Sequence, residues 1–348
     1  MRELIGDFIL EDDLYKMHPF SDASWEGVFF VSYKKAWPLW LFVCSLVLLV
    51  GCPLKRSSLR SSPTRLRSEP TISVYFHENG TKKKMPIEEY LAGVVAGEMK
   101  PGWPLNAYAA QAILARTFTM EFIGRGGTKR LHATDICTDE KHAQAYTTSS
   151  ISPAIRKAVA ATRGVVMQYG GKYIHAWFSA SCGGQTAFAR EGLAYKGAEP
   201  SYISSVTCPE SKVMPKAEQI WQASFSRTEI GAALKKAAGK NIGPITAFTR
   251  LRTGPTTHRT TRLRLTGTDG TAEIAAADFR IAIGPERMRS IWLTSVASAG
   301  GGTDMAGRGF GHGVGLCQWG ANALAKEGKT AQEIVKHYYP KVQIVKAW

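Results

Sequence analysis

One acid in this chain stands where a helix would bury it. Ile87, Tyr90, Leu91, Val94 and Val95 recur at i, i+3, i+4, i+7 and i+8, one face of an amphipathic helix, and Glu98 continues the series at i+11. A carboxyl on that face loses water, and desolvation favours its protonated form. A carboxylic acid still protonated near neutral pH is what general acid catalysis needs. The alternative ends the helix by Gly97 and leaves Glu98 solvated. A second stripe, Leu105, Tyr108, Ala109, Ala112 and Ile113, carries Arg116 at its own i+11 position. That guanidinium could pair with a carboxylate, hold an anionic group of a substrate, or pack its stem and reach water with its head.

Two further clusters carry chemistry. His132, Cys137 and His142 are spaced like zinc ligands, with Asp135 and Asp139 between them, but this stretch names no fourth ligand. An exposed His beside one half of a disulfide is the plain alternative. Near the C-terminus, glycine recurs at 307, 309, 311, 313 and 315, with His312 inside the run and Gln318 and Trp319 just after it. Alternating glycine lets a backbone approach a ligand or another strand closely. The amide and the flat indole suit a pyranose ring, and a tight core crossing with a structural His is the competing account. The spacing is not that of a dinucleotide-binding fingerprint.

The elements that would position these groups form an α+β chain. Ile72 to Phe76 alternates and ends at Asn79-Gly80, a strand before a turn. The Glu98 helix follows, then the loop from Lys100 to Trp103, then a helix with Pro104 in its first position. Residues 164–178 read as two strands joined by Gly170-Gly171. Residues 215–240 read as a surface helix region, and 245–297 as strands between turns, so a β-rich subdomain of about 215–297 is expected as an insertion. Thr330 and Glu333 form a capping box for a last helix.

The front of the chain reads as an export signal. Lys34 and Lys35 precede an apolar run from Ala36 to Val50, followed by Gly51-Cys52. Leu49-Val50-Gly51-Cys52 resembles a bacterial lipobox, which predicts a lipid on Cys52 and an anchor in a membrane. Residues 1–33 have no assigned role, and 53–70, rich in Ser, Arg and Pro, read as a flexible tether. Residues 53–348 hold 40 Lys and Arg against 21 Asp and Glu, a formal charge of +19 that favours anionic partners. No helix-turn-helix, zinc-finger or RNA-binding signature is present, so nucleic acid is not the expected one. Cys137, Cys182, Cys208 and Cys317 can pair outside the cytoplasm, with Cys182 and Cys208 the first choice.

Taken in order, YLAGVVAGEMKPGWPLNAYAAQAILARTF, CTDEKHAQAY, WFSASCGGQTA and GRGFGHGVGLCQWGANALAKEGKTAQEIVKHYYP resemble the SpoIID/LytB family over roughly Thr71 to Tyr339. The resemblance implies one SpoIID-like domain over 71–348, located in the cell envelope and acting on peptidoglycan glycan strands. Its sporulation members are lytic transglycosylases, and a related member enhances an N-acetylmuramoyl-L-alanine amidase. It assigns the catalytic acid to Glu98, while Arg116, His312, Gln318 and Trp319 are candidate substrate-binding residues from their own types and positions. No cofactor is implied beyond a structural zinc, which some relatives hold with one His and two Cys. Here Ala143 stands at the second Cys position, and His142 is the available substitute. Cys317 and Trp319 replace the more usual Ser and Tyr.

Overall fold

The computed structural model of the chain describes residues 66–348 apart from residue 300. The expected signal segment, Cys52 and the tether up to residue 65 lie outside the described residues. The fold is α+β, as its sequence pattern implied: helices pack among several small sheets. The first sheet has the order β2-β1-β3, where β1 is Thr71–Phe76, β2 is Thr81–Pro86 and β3 is Ile136–Cys137. The β1–β2 pair is antiparallel and the β1–β3 pair parallel. β2 carries no apolar alternation, which is why its sequence, TKKKMP, gives no strand signal; only Met85 is buried. Its lysines line the outer edge of the sheet, where charge blocks pairing with another chain.

Helix α1 (Ile87–Glu98) is apolar almost all round and buried along nearly its whole length, and helix α2 (Leu105–Gly124) packs against it. Pro104 sits one position earlier than expected, as the N-cap of α2. Small residues set the fit. A methyl group on Gly97 would lie 2.6 Å from the carbonyl carbon of Ala145, and one on Gly93 would lie 2.2 Å from the Tyr146 ring. Residues 145–146 therefore lie directly on the glycine face of α1.

Arg116 of α2 is fully buried. Its Nε and Nη2 donate to the two carboxylate oxygens of Glu88 at 3.0 and 2.6 Å. Its Nη1 donates to the carbonyls of Ala112 at 3.3 Å and Val165 at 2.9 Å. Glu88 also accepts from the Gly164 amide at 3.0 Å. This corrects its candidate place in the substrate site: the whole fork is spent inside the fold, binding α1 and α2 to the strand Val165–Tyr169.

Residues 164–178 do turn back at Gly170-Gly171, both with positive φ, but the return strand is only Lys172–Tyr173. The region 215–240 departs further from expectation. It contains the strand Ile220–Ser226 between two helices, and Trp221 and Phe225 of that strand are buried. This strand pairs with Gly302–Arg308, which also pairs with Leu293–Ala299. With the three-stranded sheet from Ile245 to Ala275 and the helices Arg227–Ala238 and Ala276–Ile283, it encloses a second hydrophobic core running from Trp221 to Met305. The first core joins α1 and α2 to residues 314–348. The Thr330–Glu333 capping box is present, opening helix Ala331–Tyr338.

Two consequences can be measured. Arg116→Ala strands the Glu88 carboxylate in the interior, and breaking a buried pair this way costs about 3–5 kcal/mol. Urea unfolding should show that loss, and Glu88→Gln with Arg116→Met should recover much of it. Gly97→Ala must push back the backbone of Ala145; overpacking of this kind costs about 1–3 kcal/mol, seen as a lower midpoint in the same assay.

Candidate functional site

Glu98 is the last residue of α1 and is 3% exposed, so the helical stripe does carry it inward. The segment lying on Gly93 and Gly97 reaches it directly: the Ala145 amide donates to Glu98 Oε1 at 2.8 Å. A backbone amide thus helps to orient the carboxyl. Tyr90, two turns earlier on the same face, is fully buried, and burial, followed by the nearby Cys137 and Glu98, holds its phenol well above the ordinary range. Tyr90 is thus a buried hydroxyl that feels the charge of Glu98. Sequence reasoning counted it only as part of the apolar stripe, although its shared helical face with Glu98 was the available signal.

The middle motif converges. His132 Nε2 and His142 Nδ1 lie 3.3 Å apart, and Cys137 Sγ lies 3.6 Å from the same His142 nitrogen. Ligands at 2.0–2.3 Å from a tetrahedral zinc are separated by about 3.4–3.8 Å, so the three donors fit such an ion. Asp139 adds a carboxylate 3.8 Å from His142 Nδ1, and its amide donates to Cys137 Sγ at 3.2 Å. Burial, then the neighbouring His142, lowers the pKa of His132 and favours the neutral imidazole that binds metal. Burial raises the Cys137 thiol to about 11, so an ion there must displace a proton. Cys137 lies on β3, parallel to β1, and the ring of His132, at the end of the short helix Lys129–His132, stacks on Tyr75 of β1 with centroids 4.1 Å apart.

The glycine-rich motif meets the WFSASCGGQTA segment. Ser181 and Phe310 exchange both backbone hydrogen bonds, at 2.9 and 2.8 Å, and Leu316–Cys317 pairs in parallel with Phe178–Ser179. The close approach allowed by alternating glycine is therefore to another strand. At Gly315, with φ of 74°, a methyl would lie 2.1 Å from the Trp177 carbonyl oxygen. His312 is buried in this run, and its Nδ1 accepts from the Val314 amide at 3.0 Å. That bond leaves Nε2 as the ring nitrogen that carries the proton in the neutral form.

Gln318 and Trp319 open the helix Gln318–Lys326 and are both largely buried. The Trp319 ring lies 4.9 Å from that of Trp103, and the Lys100 ammonium sits 4.7 Å from its centroid. Lys100 also pairs with Glu218 at 2.8 Å. The C-terminal motif thus touches the loop that follows Glu98 through Trp319, giving an aromatic wall beside a cation.

The expected Cys182–Cys208 disulfide is replaced by a different arrangement. Both are free thiols, gathered with Cys317 around the buried carboxylate of Glu210. Glu210 was missed because a lone acid in a loop carries no periodic signal. Among the described residues, no helix is long and apolar enough to cross a membrane.

Known proteins align with this framework. A family model described as stage II sporulation protein, SpoIID, matches residues 75–169, the stretch holding Glu98 and the middle motif. The chain is 30% identical over 306 residues to stage II sporulation protein D of Bacillus amyloliquefaciens, covering 84% of this chain and 83% of that protein. Its counterpart in Bacillus subtilis is 29% identical over 341 residues, 88% of this chain and 94% of the relative. An amidase enhancer of Bacillus subtilis is 26% identical over 288 residues, 72% of this chain but 39% of the enhancer. Identity of that degree over most of both chains is common descent: the chain belongs to the SpoIID family of stage II sporulation proteins.

Proposed function

We propose that the chain is a peptidoglycan lytic transglycosylase of the cell envelope, with Glu98 as its general acid and base. The observation that carries this reading is a carboxyl buried at a helix end and oriented by the Ala145 amide. The protonated acid gives its proton to the glycosidic oxygen leaving C1 of N-acetylmuramic acid, and the C1–O bond breaks. The C6 hydroxyl of the same sugar then attacks C1, and its proton returns to Glu98. The product is a 1,6-anhydro end, and the acid is regenerated without water or a protein nucleophile. Two-carboxylate hydrolysis needs a second acid at a set distance, and in the motif YLAGVVAGEMKPGWPLNAYAAQAILARTF Glu98 is the one carboxylate. His312 and Gln318 serve as donors to sugar hydroxyls, and Trp319 with Trp103 supplies ring faces for the glycan. The formal charge of +19 after residue 52 draws the domain to an anionic wall. A lipid on Cys52 is the anchor this reading assigns.

His132, Cys137 and His142 would hold a zinc ion with a structural role. When bound, the ion would supply a cross-link across residues 132–142, three residues before the Ala145 whose amide reaches Glu98. A second reading, a wall-binding module that stimulates an amidase, is favoured by the likeness to the amidase enhancer.

Mass spectrometry of denuded glycan strands incubated with the full-length protein separates these readings. Anhydro ends are expected; reducing ends would indicate hydrolysis, and intact strands with a stimulated amidase would support the enhancer. Glu98→Gln should lower cleavage by about 10²–10⁴-fold while the unfolding midpoint stays near that of the parent. A glutamine variant that still releases anhydro products at the parent rate would remove Glu98 from the mechanism. His132→Ala should lower thermal stability more than Glu98→Gln does, and added zinc should stabilise the parent but not the His132 variant.

A further inference from the structure

Behind the glycine-rich motif lies a second cluster of metal-binding type, chemically unlike the first. Cys182, Cys208, Glu210 and Cys317 are all buried, and their ligand atoms lie within 4.8 Å of one another. One oxygen is the focus: Glu210 Oε2 is 2.7 Å from Cys317 Sγ, 3.4 Å from Cys182 Sγ and 3.8 Å from Cys208 Sγ. Three sulfurs and an oxygen on the vertices of a tetrahedron around zinc would be separated by about 3.5–3.8 Å, so Cys317 Sγ would draw back from the oxygen on binding. A disulfide would use two of these sulfurs and leave the third, with a carboxylate, buried beside it.

The surroundings are those of a thiolate site. The amides of Cys182 and Gly320 point at Cys317 Sγ, at 3.4 and 3.3 Å. The Tyr338 hydroxyl lies 3.1 Å from Cys208 Sγ, and the Ser181 hydroxyl donates to Glu210 Oε1 at 3.0 Å. Such outer contacts fix metal ligands and tune them. A methyl on Gly320 would lie 2.2 Å from Cys208 Sγ, so the backbone is shaped around the sulfur. Three thiolates and a carboxylate around a divalent ion leave two net negative charges. Arg259, a buried guanidinium, donates to the Cys182 carbonyl at 2.6 Å and brings a positive charge to that place.

We infer that Cys182, Cys208, Glu210 and Cys317 form a structural zinc site, separate from His132, Cys137 and His142. Sulfur-rich tetrahedral donors select zinc over harder divalent cations. The ion ties three segments together: the loop at Cys182, the turn at Cys208–Glu210, and the start of helix Gln318–Lys326. That helix start carries Trp319, so the ion also steadies the aromatic wall.

The test uses the full-length chain with the first cluster disabled by Cys137→Ala. This protein, purified with zinc present, should hold stoichiometric metal by atomic emission. Replacing zinc by cobalt(II) should give an intense thiolate-to-cobalt charge-transfer band. Adding Cys317→Ala should abolish both. If that variant fails to fold, Glu210→Gln keeps the shape of the side chain and should weaken zinc retention against a chromophoric chelator at least tenfold. A mapped disulfide between any two of Cys182, Cys208 and Cys317, or a Cys137→Ala protein free of zinc, would overturn the inference. So would zinc that Glu210→Gln and Cys317→Ala leave equally tightly held.

Discussion

The guanidinium of Arg116 is the constraint on which the half of the fold that carries Glu98 depends. A charge wholly removed from water must be answered by partners, and this one is answered by a carboxylate on α1 and by carbonyls on α2 and on the following strand. The partners come from segments far apart in sequence, so the charge can be satisfied only when α1, α2 and residues 159–165 have reached their final places. A well-packed apolar core would tolerate small slips of one helix along another. A bidentate fork does not, because its directions are fixed. Glu98 sits at the far end of the same α1 whose first turn holds Glu88, so the register set at one end positions the acid at the other.

Close backbone approach is the second theme, used in two places. On α1, two glycines let residues 145–146 lie against the helix, and an amide from that segment reaches Glu98. In the C-terminal motif, glycines let one strand-like run lie against residues 178–187. In both places the missing side chains let one backbone segment lie directly on another. The middle motif therefore supplies a hydrogen bond to the proposed acid.

Local periodicity made much of this legible. The inward turn of Glu98 followed from its place in a helical series, and the last helix from its capping box. Arg116 was correctly placed on a buried stripe, but its partner was not readable, because Glu88 lies on another helix and breaks no pattern there. β2 was silent, since its lysines face water on both sides of an edge strand. The strand Ile220–Ser226 was read as helix because only Trp221 and Phe225 of its residues turn fully inward, a spacing that suits either period. The Cys182–Glu210–Cys317 cluster joins positions from three separate segments. Only tertiary structure brings them together, and cysteine count alone pointed to a bridge instead.

The run of glycines at 309, 311, 313 and 315 has a genetic consequence. All four adopt left-handed φ, between 73° and 99°. Every glycine codon begins with the same two bases, and any single-base missense change in them installs a side chain on a backbone that disfavours one. The neighbours are close enough that even the smallest addition collides with another segment. Random substitution would therefore strike this short stretch far harder than the exposed lysines of β2, where most exchanges leave packing untouched. Alongside the core positions already named, this one heptapeptide concentrates mutational fragility at every second residue.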